Sequence, residues 1–450
     1  MKVFQRHRSG APAAALASLA MLAACTVPAP ALAKTNPNQC SGVEVTGQGA
    51  SSNSIAQGIW DAQFNTSGDK LACNGSQGSK GKPQVHYTNT GTGAGLESWG
   101  EFGKVTPNYG PTNAFVGTSE AFDSTTISEI ESNESTPTPE TIETVPVLQI
   151  ATAIIVNLPA GCTASSTPDP GRLVLSQTAL EQIFKGDITK WSQITGGGDA
   201  LSGSGCDPTT TITPVVRFDQ SGPTHYLKRF LNLIDSSPLA TAKGSLTWGE
   251  LSEGSLNTTW PSALAAVTPA KKGEAEEDNK VASTPSSIGY GNLAEIRAGG
   301  KFSKTGEGGP GTARFWVPIE SENKKGKAKY SDPAENGDVE AASNANCKKT
   351  VYSRGSEPFP PPTVEEPWNQ VTTSRSEKTY PLCGFGFVLT TTRYSLFPGT
   401  SKAEAQTVHD VLGYITDKKG GQAALAGHDY APLPKAVMGE AIAGAQAVSY

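Results

Sequence analysis

TPVVRFDQSGPTHYLKRFLNLI, residues 213–234, decides how the rest of the chain is read. Val215 and Val216 are apolar and β-branched, which predicts a strand. Asp219-Gln220-Ser221-Gly222 is turn-forming. Tyr226, Leu227, Phe230, Leu231 and Ile234 then recur at helical spacing. Pro223 suits the first helical turn, where a missing N–H is not needed, and Ser221 or Gly222 is the expected N-cap. The free N–H groups of such a turn favour an anion. Arg217, just before it, carries a planar fork of donors matched to an oxyanion, and Asp219 can hold that fork in place. An ordinary capped helix beside a surface Arg–Asp pair accounts for the same residues, so this stretch alone does not settle a site.

The pattern recurs upstream. In SGVEVTGQGASSNSIAQGIWDAQF (41–64) a strand is expected to end at Val45. A glycine-rich turn over 47–52 follows, then a helix presenting Ile55, Ile59, Trp60 and Phe64. KPQVHYTNTGTGAGLESWGEF (82–102) repeats it, with a strand at Val85 and Tyr87, a turn over 91–95 and a helix from Leu96. Glycine lets backbone approach a ligand closely, and Ser or Thr at a helix start supplies hydroxyls. Three such turns point to one shared anion; the alternative is a repetitive α/β scaffold with glycine-rich βα turns.

TNAFVGTSEAFD (112–123) is a short strand ending at Ser119 and Glu120. Residues 124–146, acidic and rich in Ser, Thr and Pro, are expected as a solvated loop with a short helical turn. PVLQIATAIIVNLP (146–159) is nearly all apolar and predicts a buried strand leading into a second lobe. An amphipathic helix over 173–191 starts near Ser176 and closes at Gly186. VASTPSSIGYGNLAEI (281–296) predicts a helix end, a turn, a strand and a helix. From about 300 to 378 the chain is polar and irregular, with a polyproline-like PFPPPTVEEP, and is expected as an elaborated surface insertion. YPLCGFGFVLTTT (380–392) restores a strand, and helices fill the remainder.

A chain of 450 residues suggests two or three domains. Residues 1–33 predict a signal peptide: Lys2, Arg6 and Arg8, an apolar run, then Ala31-Leu32-Ala33 as a cleavage site. Leu22-Ala23-Ala24-Cys25 offers a competing lipoprotein box with Cys25 lipidated. The protein is therefore expected to be exported, to the periplasm or cell envelope. Cys40, Cys73, Cys162, Cys206, Cys347 and Cys383 form an even set, as disulfides require. Sequential pairing, 40–73, 162–206 and 347–383, is the expectation among 15 possibilities. No C-x-x-C pair exists and histidines are sparse, so neither a metal nor another cofactor is expected. Without residues 1–33 the chain has 33 basic and 42 acidic residues, a net −9. That argues against a nucleic-acid partner and means an anion site must work through local donors.

VTGQGASSNS, YTNTGTGAGL, FVGTSEAF, LEQIFKGDITKW, VVRFDQSG, TPSSIGY and DYAPLP occur in this order across residues 43–447. In this series the chain resembles the phosphate-binding proteins of bacterial ABC phosphate importers. The resemblance implies an α/β, type II periplasmic-binding-protein-like fold: two lobes, each a mixed sheet flanked by helices, closing on a ligand in the cleft. Lobe 1 would comprise 34–146 and 298–450, including the insertion, and lobe 2 would comprise 147–297. The resemblance implies inorganic phosphate as ligand, a membrane permease as partner, a monomer and no catalysis. Its ligand positions fall on Ser51, Ser52, Thr92, Glu120, Arg217, Asp219, Ser221 and Gly222. Ser52 stands where the family has an aromatic residue. Pro223 stands where it has Thr, with Thr224 the available substitute. Glu120 stands where it has Asp, the carboxylate that accepts the phosphate proton and repels sulfate.

Two other readings share some of these residues. A site for another tetrahedral oxyanion such as sulfate is one. A secreted phosphatase is the other, and it needs a nucleophile with a base, or metals. His225 lies four residues after Ser221 but inside the expected helix; His86, His409 and His428 have no cluster around them, and no nucleophile elbow is present. A surface protein using the 300–378 region, such as an adhesin, is a third class.

Overall fold

In the computed structural model, the described residues are 38–66, 71–73, 83–100, 111–121, 124–136, 141–164, 173–194, 201–207, 209–264, 273–304, 313–321, 329–334, 368 and 380–450. Residues 1–33, with Cys25, fall outside these, as does Cys347. The expected signal peptide, lipidation site and third disulfide therefore lie beyond the described residues. The other two pairs, Cys40–Cys73 and Cys162–Cys206, form as expected.

One eight-stranded mixed sheet organises the chain. Its strands are β1 (Val45–Gly49), β2 (Val85–Asn89), β3 (Phe115–Thr118), β4 (Ile142–Leu158), β5 (Thr213–Pro214), β6 (Ser287–Asn292), β7 (Ala313–Val317) and β8 (Cys383–Thr391). The order is β2-β1-β3-β8-β4-β6-β5, with β7 also paired to β4. β1 runs parallel to β2 and β3, and β6 parallel to β5; β8 is antiparallel to β3 and β4, and β6 and β7 are antiparallel to β4. The helices are α1 (Ser54–Thr66), α2 (Thr92–Glu97), α3 (Ser124–Glu131), α4 (Gln177–Lys185), α5 (Gly222–Ile234), α6 (Glu274–Ser283), α7 (Leu293–Ala298), α8 (Lys402–Ile415), α9 (Gly421–Ala424) and α10 (Lys435–Ala447).

β4 is the spine. All 17 of its residues are buried, as a strand covered on both faces must be. Nine of its first ten residues pair with β8, Val147 being passed over, and the rest pair with β6 and β7. Up to Ile150 its side chains belong to one hydrophobic core, with Trp60, Phe64, Trp99 and α8; from Ala151 they belong to a second, with Leu180, Phe184, Phe230 and Trp316. Trp368 already packs in the first core; Tyr380 and Leu382 pack in the second, and from Cys383 β8 packs in the first.

Several elements depart from the sequence expectations. β4 begins at Ile142, so the end of the expected solvated loop is buried sheet. Pro146, which has no N–H, pairs where the β8 register shifts between Gly386 and Phe387. Gly47, Gln48 and Gly49 are strand, not turn. A Cβ at Gly47 would lie 2.2 Å from the Phe115 ring, and one at Gly49 would lie 2.0 Å from the Gly117 carbonyl. These glycines let strands approach rather than bend the chain. Gly93 and Gly95 likewise fall inside α2. β7 lies within the stretch expected as a polar insertion, with Phe315, Trp316 and Val317 in the second core.

Candidate functional site

The βα turns meet at one place. The strand expected at Val215 and Val216 is shorter, Thr213–Pro214, though Val215 N still donates to the Ile288 carbonyl at 2.7 Å. After a bend at Asp219 the chain reaches Ser221, the extended N-cap of α5, with Pro223 in the first turn. The first intrahelical bond is His225 N to Ser221 O, 2.9 Å, so the amides of Gly222 and Thr224 precede it.

Arg217 is buried, and Asp219 holds one edge of its fork: Nε donates to Oδ1 at 2.9 Å and Nη2 donates to Oδ2. Burial works against the guanidinium charge, but Asp219, with Glu274 and Glu277 behind it, outweighs that and raises the Arg217 pKa. The Arg217 carbonyl accepts from Trp260 Nε1 at 3.0 Å, and its amide donates to Tyr290 Oη at 3.2 Å. Asp219 Oδ2 also accepts from Gly273 N at 3.2 Å, tying the pair to the start of α6.

The other expected positions close around this pair. The hydroxyls of Ser52 and Ser119 share a hydrogen bond, joining the turns after β1 and β3. A Cβ at Gly222 would sit 1.9 Å from the Ser119 Cβ, so only glycine allows α5 to approach there. A Cβ at Gly93 would lie 3.7 Å from Gln220 Oε1, which brings the α2 start to the same turn. Thr92 is buried at that start. Thr224, the expected substitute donor for Pro223, shares its hydroxyl with Tyr290 Oη at 2.7 Å. Ser221 Oγ, buried, has no partner among the described residues.

Glu120 is buried with both carboxylate oxygens occupied: Asn257 Nδ2 donates to Oε1 at 2.8 Å and Gln220 Nε2 to Oε2 at 2.9 Å. Asn257 Oδ1 in turn accepts from Ser221 N at 3.0 Å. Sequence reasoning missed Asn257, in an irregular segment between α5 and α6. It also missed Glu274. An acidic run at a helix start reads as solvated, yet Glu274 is buried, with Oε2 accepting from Ser51 Oγ at 3.2 Å and Oε1 from Asn292 N. Burial raises its pKa, with Arg217 opposing. Tyr290 and Asn292 do fall in or beside the TPSSIGY motif.

These turns enclose a cavity of about 620 Å³. Ser51, the Thr90–Ala94 turn, Asp219, Gln220 and Gly273 border it, together with Glu97, Glu274, Glu276 and Glu295. Its described walls carry no Lys or Arg, so donors must come from hydroxyls, amides and whatever edge of Arg217 reaches it. The His225 ring is buried, its Nδ1 meeting the Ser252 carbonyl at 3.1 Å, while Nε2 and the Ser221 hydroxyl are each without a partner among the described residues. Serine and histidine are therefore not joined as nucleophile and base. Among the described residues the one cluster with metal-ligand spacing is Cys40, Cys73 and Asp410, whose cysteines are consumed by a disulfide. No described helix is long and apolar enough to cross a membrane.

A sequence model of the PBP superfamily domain matches residues 40–364. The chain is similar in fold to a phosphate-binding protein from Stenotrophomonas maltophilia. The TM-score is 0.53 at 20% identity, covering 88% of this chain and 92% of that one. It is equally similar to a high-affinity periplasmic phosphate-binding protein, PfluDING, whose structure was solved bound with phosphate. There the TM-score is 0.54 at 18% identity, again covering 88% and 92%. No curated protein matches the sequence.

Proposed function

The chain belongs to the PBP superfamily, and from that premise we propose that it is an exported solute-binding protein. It captures inorganic phosphate and delivers it to an ABC-type importer permease. The observation that carries this reading is Arg217, buried and clamped by Asp219, whose segment borders one cavity together with Ser51 and the Thr90–Ala94 turn and leads into the start of α5 at Ser221. A guanidinium whose orientation is already fixed, with hydroxyls and helix-start amides beside it, suits a tetrahedral oxyanion. The two cores correspond on this reading to two lobes, and β4 with the 382–383 crossing to the hinge between them. Export would follow removal of residues 1–33 or lipidation of Cys25, and the receptor acts as a monomer without chemistry of its own.

Calorimetric titration of the purified, ligand-stripped protein with phosphate and then sulfate tests this. One-to-one binding of phosphate is the expected result. Folded protein that binds neither anion would refute the reading.

A further inference from the structure

We propose that Glu274, rather than Glu120, is the acid that faces the captured anion and decides which oxyanions enter. This rests on the phosphate-binding reading and names the specificity element of that same site. Glu274 borders the cavity, whereas Glu120 does not. The oxygens of Glu120 are held by two amides, and Asn257 is in turn fixed by Ser221 N. Among the described residues, Oε2 of Glu274 is held only by the Ser51 hydroxyl, itself an expected anion donor. When that hydroxyl turns to an anion, it leaves Oε2 an open acceptor at the cavity wall.

The consequence follows from counting protons. Hydrogen phosphate brings a proton that it can share with the Glu274 carboxylate, so the pair holds one proton whichever oxygen carries it. Sulfate brings none. An ionised Glu274 repels it, so on the alkaline side of the Glu274 titration sulfate binds only with uptake of one proton from solvent onto that carboxyl. The groups facing Glu274 are Arg217 and Asp219 from the segment before α5, Glu277 and Asp278 from its own helix, Glu295 from α7 and Tyr430 from the segment before α10. Arg217 favours its ionised form. The carboxylates and its burial favour the protonated form, so the carboxyl titrates above the ordinary range.

The test is competition calorimetry between phosphate and sulfate from about pH 6 to 9, in two buffers of different ionisation enthalpy. Expected of the unaltered protein is sulfate binding with uptake of one proton, weakening by about tenfold per pH unit on the alkaline side. Phosphate binding near pH 8 should show no such uptake. In Glu274→Gln the sulfate slope should vanish and sulfate should bind at least about tenfold tighter near pH 9, with phosphate weakened. Glu274→Asp should retain the slope. Sulfate binding by the unaltered protein that is flat with pH, or absent at both ends of the range, overturns the proposal while phosphate binding stands. So does a Glu274→Gln protein with unaltered selectivity. Loss of both anions from the unaltered protein would instead refute the phosphate reading itself.

Discussion

Asn257 and Glu120 are joined by a 2.8 Å hydrogen bond from Nδ2 to Oε1, across the junction between the end of β3 and the start of α5. The same amide group accepts from Ser221 N. One side chain thus settles a buried carboxylate and a helix-start N–H together. Asn257→Ala would leave both short of a partner, each a cost of about 1–3 kcal/mol. Urea unfolding should show a loss of roughly 2–4 kcal/mol. Asn257→Asp, placing a second carboxylate against Glu120, should be worse near neutral pH than at pH 5.

Arg217→Ala removes the guanidinium that Asp219 clamps where the turns converge, leaving Asp219 at the cavity wall. Phosphate binding should weaken by about 3–5 kcal/mol, as when one partner of a buried charge pair is lost. Arg217→Lys keeps the charge but not the fork, and cannot satisfy both Asp219 oxygens in the same way. It should recover only part of that loss in calorimetry. A folded Arg217→Ala protein with unaltered affinity would remove Arg217 from the site.

Much of this was legible because it depends on short-range grammar. Ser176 caps α4, with its side chain accepting from Ala179 N, and Gly186 closes the helix at φ 91°. Ser221 caps α5, and Arg217 meets Asp219 two residues away. The glycines were harder to read. Gly47 and Gly49 look like turn residues along the chain, and their role inside β1 comes from Phe115 and Gly117, about 70 residues distant. Glu143, Asn257 and Glu274 are polar residues in polar stretches that nevertheless become buried. Nothing local marks that. It follows from long-range placement, β4 being sandwiched between two cores and α6 being drawn over β6.

Lys228 makes a second long-range tie. Its ammonium, fully buried, donates to the carbonyls of Leu251, Asn257 and Thr259 and lies 4.2 Å from the centre of the Trp260 ring. Burial pushes its pKa well below the ordinary lysine value, with Glu120 opposing. These bonds hold the 251–260 segment, and hence Asn257, against α5. Lys228→Met keeps the volume but orphans three carbonyls. Stability should fall by about 2–4 kcal/mol in denaturant titration. Phosphate affinity should fall with it, because Asn257 no longer holds Ser221 and Glu120 in place.

Glu143 gives a pH dependence that does not involve the site. It lies in β4, where burial raises its carboxyl to about 8, and its Oε2 has no hydrogen-bond partner among the described residues. The unfolded chain ionises the group near the ordinary glutamate value of about 4.3. Between that pH and about 8 the folded protein holds a proton that the unfolded chain has released. The stability this group confers is therefore complete below about pH 4 and falls as pH rises toward its folded value. Glu143→Gln keeps the shape and removes the titration. Its melting temperature should exceed that of the unaltered protein near pH 8, by an amount on the order of 2–4 kcal/mol in stability, and the two should converge near pH 4. Asp61, raised to about 7, and Glu295, raised to about 8, titrate in the same window. The difference between the two proteins, rather than either curve alone, isolates Glu143. Melting curves that run parallel from pH 4 to 8 would show that Glu143 is ionised within the sheet.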